Sequence, residues 1–293
     1  MSRPGPVHTI SEGRVTDVGG LPVHRLLPQR GRRTVGAWCF LDRFGPVEVA
    51  PARTMTVGPH PHIGLHTVTW LLSGQVLHSD SLGNQQPIRP GQLNLMTAGH
   101  GIAHAEDARE QPGQWMDGVQ LWVTQPEGTR HGSPSFAHHG DLPVVDLTPG
   151  VATVLIGEFA GGQSPARVDS PLVGVDIQGS GSIRVPLDPA FEHAIAVLHG
   201  ELQVEGDTAP PNRLVYLGDG RHGVEFELAE NSRILLLGGE PASEEILMWW
   251  NFVARDRAEL EQAYRDWESQ AERFGTVDST LDRIGAPPPF WLH

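Results

Sequence analysis

The strongest constraint on the fold is punctuation. Gly and Pro make up 35 and 25 of the 293 residues, and they cut the chain into short runs of aliphatic and β-branched side chains. Thr67 to Leu72, Gln92 to Met96, Val119 to Val123, Val151 to Ile156, Ile195 to Leu198, Leu214 to Leu217 and Ile234 to Leu237 each read as a strand bounded by Gly, Pro, Asp or Asn. Many short strands between turns predict an all-β chain of sandwiches or barrels, not a helix bundle. One exception lies near the C-terminus. Leu260, Ala263, Tyr264, Trp267 and Ala271 recur at helical spacing, Asp256 and Glu259 form a capping pair and Gly275 supplies a stop, so a helix is predicted over about 256–273.

Length favours two domains of about 150 residues each. Glu127 to Pro143 is polar and without periodicity, which reads as a linker and sets a boundary near 135, giving domains 1–134 and 135–293. The halves resemble one another. Trp70 to Val76 (WLLSGQV) lies over Val197 to Val204 (VLHGELQV) with Gly74 on Gly200, and Pro90 to Leu95 lies over Pro211 to Tyr216. Two related β-domains in tandem are therefore expected.

Composition removes several chemistries. The net charge is −14 and all 21 basic residues are Arg, so a lysine Schiff base and a phosphate-loop lysine are excluded. Cys39 is the one cysteine, which excludes an internal disulfide and a thiolate-held cluster; among aromatic neighbours it reads as a core residue. An acidic chain repels phosphate backbones, so direct nucleic-acid binding is not expected, and Arg30, Arg32 and Arg33 read as a solvated loop. Met1 to Val7 hold no apolar run, and no stretch approaches the ~20 apolar residues of a membrane span. A cytoplasmic monomer without membrane attachment is the expectation.

Six of the fifteen histidines fall between positions 60 and 104. In an extended chain residues i and i+2 face the same side, so HPH projects His60 and His62 together, and HAE does the same for His104 and Glu106. Two such segments side by side would bring three imidazoles and a carboxylate to one point, a nitrogen and oxygen set that suits one divalent metal per chain: Fe(II), Ni, Mn, Cu or Zn. His66, four residues past His62, reads as a fifth ligand, a residue behind the ligands or a pocket wall, the second being preferred. His100, in a Gly-flanked turn, reads equally as pocket or exposed loop, and His78 as a plain strand residue. Aligning Gly74 on Gly200 sets Pro186 over His60 and Asp188 over His62, while His193, His199 and His222 lack i,i+2 partners; the second domain is expected to hold no metal. Trp249 and Trp250 read as core or interdomain residues.

FLDRFGP (Phe40 to Pro46), HPHIGLHTVTWLLSG (His60 to Gly74), DSLGN (Asp80 to Asn84), PGQLNLMTAGHGIAHAE (Pro90 to Glu106), QLWV (Gln120 to Val123) and MWWNFV (Met248 to Val253) together resemble the pirin family of the cupin superfamily. The resemblance implies two jelly-roll cupin barrels, metal in the N-terminal one only, usually iron, and His60, His62, His104 and Glu106 as its ligands. Ile63 and His66 stand where many pirins carry Arg and Glu in HPHRGFE; a bacterial branch with HPHIGLQ is the nearer match. For function the resemblance implies a quercetin 2,3-dioxygenase-type enzyme that opens a flavonol or related enol-bearing aromatic with O2, Glu106 acting as general base. The alternative it implies is a metal-binding, redox-sensing regulator that works through a protein partner.

Overall fold

The computed structural model describes residues 8–49, 56–108, 113–242 and 244–292; Met1 to Val7, read above for their lack of an apolar run, lie outside them. Regular structure among these residues is β apart from one α-helix, Arg257–Glu268, and a 3-10 turn, Glu272–Phe274. No helix is long and apolar enough to cross a membrane. Each run read as a strand falls on an observed one: Leu65–Ser73, Leu93–Thr97, Trp115–Thr124, Val151–Ile156, Glu192–His199, Arg213–Gly218 and Gly223–Gly239.

The chain divides into two compact units, neither of them continuous in sequence. The histidine-bearing unit comprises Thr16–Val23, Phe44–Gly140 and Ser243–His293; the second comprises Met1–Val15, His24–Arg43 and Asp141–Ala242. This differs from a single cut near 135, because the helix and tail expected to finish the second domain belong to the histidine-bearing unit. The cause is the helix's apolar stripe. Leu260, Ala263 and Trp267 are buried with Phe252, Ala254 and Phe274 against Ile63 and Ala103, neighbours of the histidines. Periodicity announces such a stripe without saying what it covers.

In the histidine-bearing unit a four-stranded sheet runs in the order Thr56–His62, Ile102–Asp107, Val76–Asp80, Gln85–Ile88. A seven-stranded sheet begins Ser135–His139, Leu93–Thr97, Leu65–Ser73, Trp115–Thr124. Its first strand falls inside the expected linker Glu127 to Pro143. Ser135 to His139 pair with Thr97 to Leu93 and are half-buried throughout; an edge strand held by main-chain bonds on one side needs no apolar alternation, so composition hides it.

The main sheet of the second unit runs in the order Thr9–Glu12, Arg213–Gly218, Glu192–His199, Gly223–Gly239, Leu172–Pro186, Val151–Ile156, Val144–Asp146. Its two longest strands pair from Leu172 with Gly239 to Pro186 with Gly223, and a register shift between Gly179 and Gly181 interrupts the ladder, as bends in long strands require. Val175, Ile177, Ile195, Val197 and Ile234 fill the core at 0% exposure. Both repeat anchors end a strand at positive φ, +86° for Gly74 and +68° for Gly200, a conformation only Gly adopts freely.

Two local readings need correction. The helix ends at Glu268, sooner than periodicity suggests, and Gly275 at φ +66° closes the 3-10 turn after it. Asp256 caps as expected, accepting from the Glu259 N–H at 2.9 Å, but the Glu259 carboxylate turns to the Arg255 N–H at 3.3 Å. Arg32 is not a loosely solvated charge: its guanidinium lies 3.0 Å from the Tyr216 ring centroid. Cys39 is buried and unoxidised, as read from its neighbours.

Candidate metal centre

Strand pleating and register build the centre. Thr56–His62 and Ile102–Asp107 pair antiparallel, with His104 opposite His60 and Ile102 opposite His62. Same-face residues i and i+2 on one strand therefore meet their counterparts on the next. One ring nitrogen from each of His60, His62 and His104 lies within 4.8 Å of the others, and all three residues are buried.

Their partners fix which nitrogen is bare. A carbonyl oxygen can only accept, so the His60 Nδ1 that lies 2.9 Å from Gly58 O and the His62 Nδ1 that lies 3.1 Å from Asn251 O carry the ring protons. The Nε2 atoms are then lone pairs. Burial pushes the His60 imidazole down to about 4; burial and then the neighbouring His60 hold His62 and His104 well below the usual histidine value. The imidazoles are thus neutral and ready to ligate.

His62 Nε2 and His104 Nε2 stand 3.1 Å apart. A bare His62 Nε2 can there accept a proton from His104 Nε2 or, where that nitrogen is bare as well, share a cation with it. Bonds of about 2.1 Å at right angles to one metal would set two nitrogens about 3.0 Å apart. The donor set, its protonation and its spacing all fit a divalent metal.

Glu106 is buried beside this set but is not among the side chains that converge in it. Burial drives its carboxyl up to about 7, opposed by a hydrogen bond with Thr69, whose hydroxyl also lies 2.9 Å from Gln120 Oε1. His66 is buried with Nδ1 at 2.9 Å from Thr97 Oγ1, outside the converging group. His100 is not part of it either: the residue is exposed, with Nδ1 3.0 Å from Gly132 O. His78, read as a plain strand residue, lies 3.4 Å from His104, Nδ1 to Nδ1. Sequence reasoning also missed Asn251, which orients His62 from the MWWNFV segment, and Trp122, whose ring meets His62 edge-on at 5.1 Å. The HPH spacing carries no signal for either, since both reach the site through tertiary pairing.

Residues 20–123 match the family described as Pirin, and residues 172–275 the one described as Pirin C-terminal cupin domain. The chain belongs to the pirin family. This pirin is 48% identical over 276 residues to a Pseudomonas aeruginosa protein provisionally named quercetin 2,3-dioxygenase, covering 93% of this chain and 87% of that one. It is 34% identical to a pirin-like protein of Caulobacter vibrioides, over 93% of this chain and 96% of the relative. Among solved structures, a crystal structure of quercetin 2,3-dioxygenase from Acinetobacter baumannii matches with a TM-score of 0.92 at 43% identity, over 96% of this chain and 95% of that one. Both barrels of this pirin thus have the cupin fold, followed by a single C-terminal helix.

Proposed function

We propose that this pirin is a metal-dependent dioxygenase of the quercetin 2,3-dioxygenase type, opening a flavonol or related enol-bearing aromatic with O2 as a cytoplasmic monomer. The observation that carries the reading is the convergence of three buried imidazoles on one centre, with the Nε2 atoms of His60 and His62 bare. His60, His62 and His104 would hold the ion, with Glu106 as fourth ligand; Fe(II) is the ion proposed, and Ni, Mn, Cu or Zn suit the same donors. A bound divalent ion would supply positive charge to a hydroxy-keto substrate and make its hydroxyl more acidic.

The protein's own groups do the rest. A carboxyl with a pKa near neutrality is suited to take the hydroxyl proton, which makes Glu106, at about 7, the proposed general base. Thr69, itself paired with Gln120, holds that carboxyl in place. Trp122, edge-on to His62, supplies an apolar wall suited to an aromatic ring.

The test is oxygen uptake with quercetin by protein loaded anaerobically with Fe(II), Ni(II) or Mn(II), beside His62→Ala. Metal-dependent uptake that disappears in the variant supports the reading. No uptake with any ion, despite confirmed loading, overturns it in favour of the regulator.

A further inference from the structure

His60 and His62 are oriented by main-chain carbonyls, which no substitution can remove. His104 is not. Its Nδ1 faces a second imidazole, His78, at 3.4 Å, and an imidazole can either give or take a proton there. What decides the direction lies one step further back, on the same strand as His78.

Asp80 sits two residues from His78 and so on the same face of Val76–Asp80, opposite His104 in register. The DSLGN turn wraps its carboxylate in donors. Oδ1 accepts from Leu82 N at 2.9 Å, Asn84 N at 3.1 Å and Asn84 Nδ2 at 3.0 Å. Oδ2 is 3.1 Å from His78 Nε2. A carboxylate ringed by donors accepts only, so the His78 proton is on Nε2 and its Nδ1 is a lone pair. That lone pair can face His104 Nδ1 only if His104 carries its proton there, which leaves His104 Nε2 bare and turned toward His62. The His78 ring cannot swing away, because it is stacked on Phe136 at 4.4 Å and 14°.

We propose that His78 and Asp80 are positioning residues of the metal centre: Asp80, acting through His78, holds His104 in the one tautomer that can ligate. The proposal rests on the reading of the three histidines as metal ligands. It also accounts for a buried His and Asp pair that packing alone would not favour, since apolar residues of similar volume serve a core at least as well. Outer partners of ligating histidines generally carry this task.

The experiment measures Co(II) affinity of the metal-free full chain by chelator competition, together with the His104 tautomer by long-range 1H–15N correlation. Wild type should bind Co(II) and show His104 protonated at Nδ1. His78→Phe, which keeps a ring against Phe136 but offers no acceptor, should lose about 10–100-fold in affinity and show the other tautomer. His78→Asn, whose amide oxygen can stand in for Nδ1, should recover most of that loss, an outcome a purely structural role would not give. Asp80→Asn, of unchanged volume, is the second variant should His78→Phe fail to fold, with an expected loss of about 10-fold. Unchanged affinity and an unchanged tautomer in the folded variants would overturn the proposal alone. Wild-type protein that takes up no Co(II) would overturn the metal-centre reading, and the proposal with it.

Discussion

The two barrels bury a histidine equally well and put it to different use. Burial pushes His60 in one and His193 in the other down to about 4. Yet His193 belongs to no group of converging donors among the described residues, whereas His60 stands in one. Aligned on Gly74 and Gly200, the place of His60 and His62 is taken by Pro186, the last residue of its strand, and by Asp188, whose exposed carboxylate accepts from Ala190 N at 2.9 Å. A cavity of about 900 Å³ opens there, lined by Phe159, Pro186, Leu187, Asp188, Phe191 and His193 among others. The same offset sets Glu192 against His66, and Glu192 is engaged by Tyr216 Oη at 2.6 Å and Gly36 N at 2.6 Å. The second unit thus keeps a hollow without a converging donor set. A desolvated imidazole is only neutral; a metal centre needs register to bring several together and partners to bare the right nitrogen of each.

The largest expected effect comes from breaking that convergence. His62→Ala should abolish stoichiometric metal uptake measured by elemental analysis; uptake retained by the variant would show that convergence matters less than argued. Next comes the support behind the ligands. Phe252 is fully buried between Ile63 and the helix and adjoins Asn251 in the chain. Phe252→Ala should cost about 3–5 kcal/mol and weaken metal binding, read as a smaller upward shift of Tm on adding Co(II).

A third test uses acid. The folded second barrel keeps His193 neutral, so as pH falls below the ordinary 6.5 the unfolded chain takes up a proton the folded one refuses. Stability should fall between about pH 6.5 and 4 and then level off, by up to about 3 kcal/mol, in hydrogen exchange of the Leu172–Pro186 strand. His193→Gln should flatten that slope. The smallest effect belongs to Arg32→Ala, which removes a cation over the Tyr216 ring and should lower stability by about 1 kcal/mol at most.

What the sequence disclosed was what is local. Strand pleating puts His60 with His62, and that pair is legible in HPH as written; HAE discloses His104, but a register shift between His104 and Glu106 breaks the simple alternation, and Glu106 stands outside the converging group. The helix was legible from Leu260, Ala263 and Trp267 for the same reason. Its partner was not, because the contact depends on a bridge between Ile63 and Phe252, residues far apart in the chain whose identities say only that both are apolar. His78 looked ordinary because its role depends on the register that sets it beside His104. The edge strand Ser135–His139 was hidden by its polar sequence, although its Phe136 supports the His78 ring.

The C-terminal segment also imposes an order of events. Every proposed ligand has left the ribosome once residue 106 is clear of it, but the oxygen that turns His62 belongs to Asn251, and Ile284 N reaches back to Pro59 O at 2.9 Å. A nascent chain halted before Asn251 would carry all four ligands without the strut that aims them. In such a chain the His62 ring would lack the acceptor that sets its proton on Nδ1, so the nitrogen offered to an ion would be fixed only after the MWWNFV segment had been made.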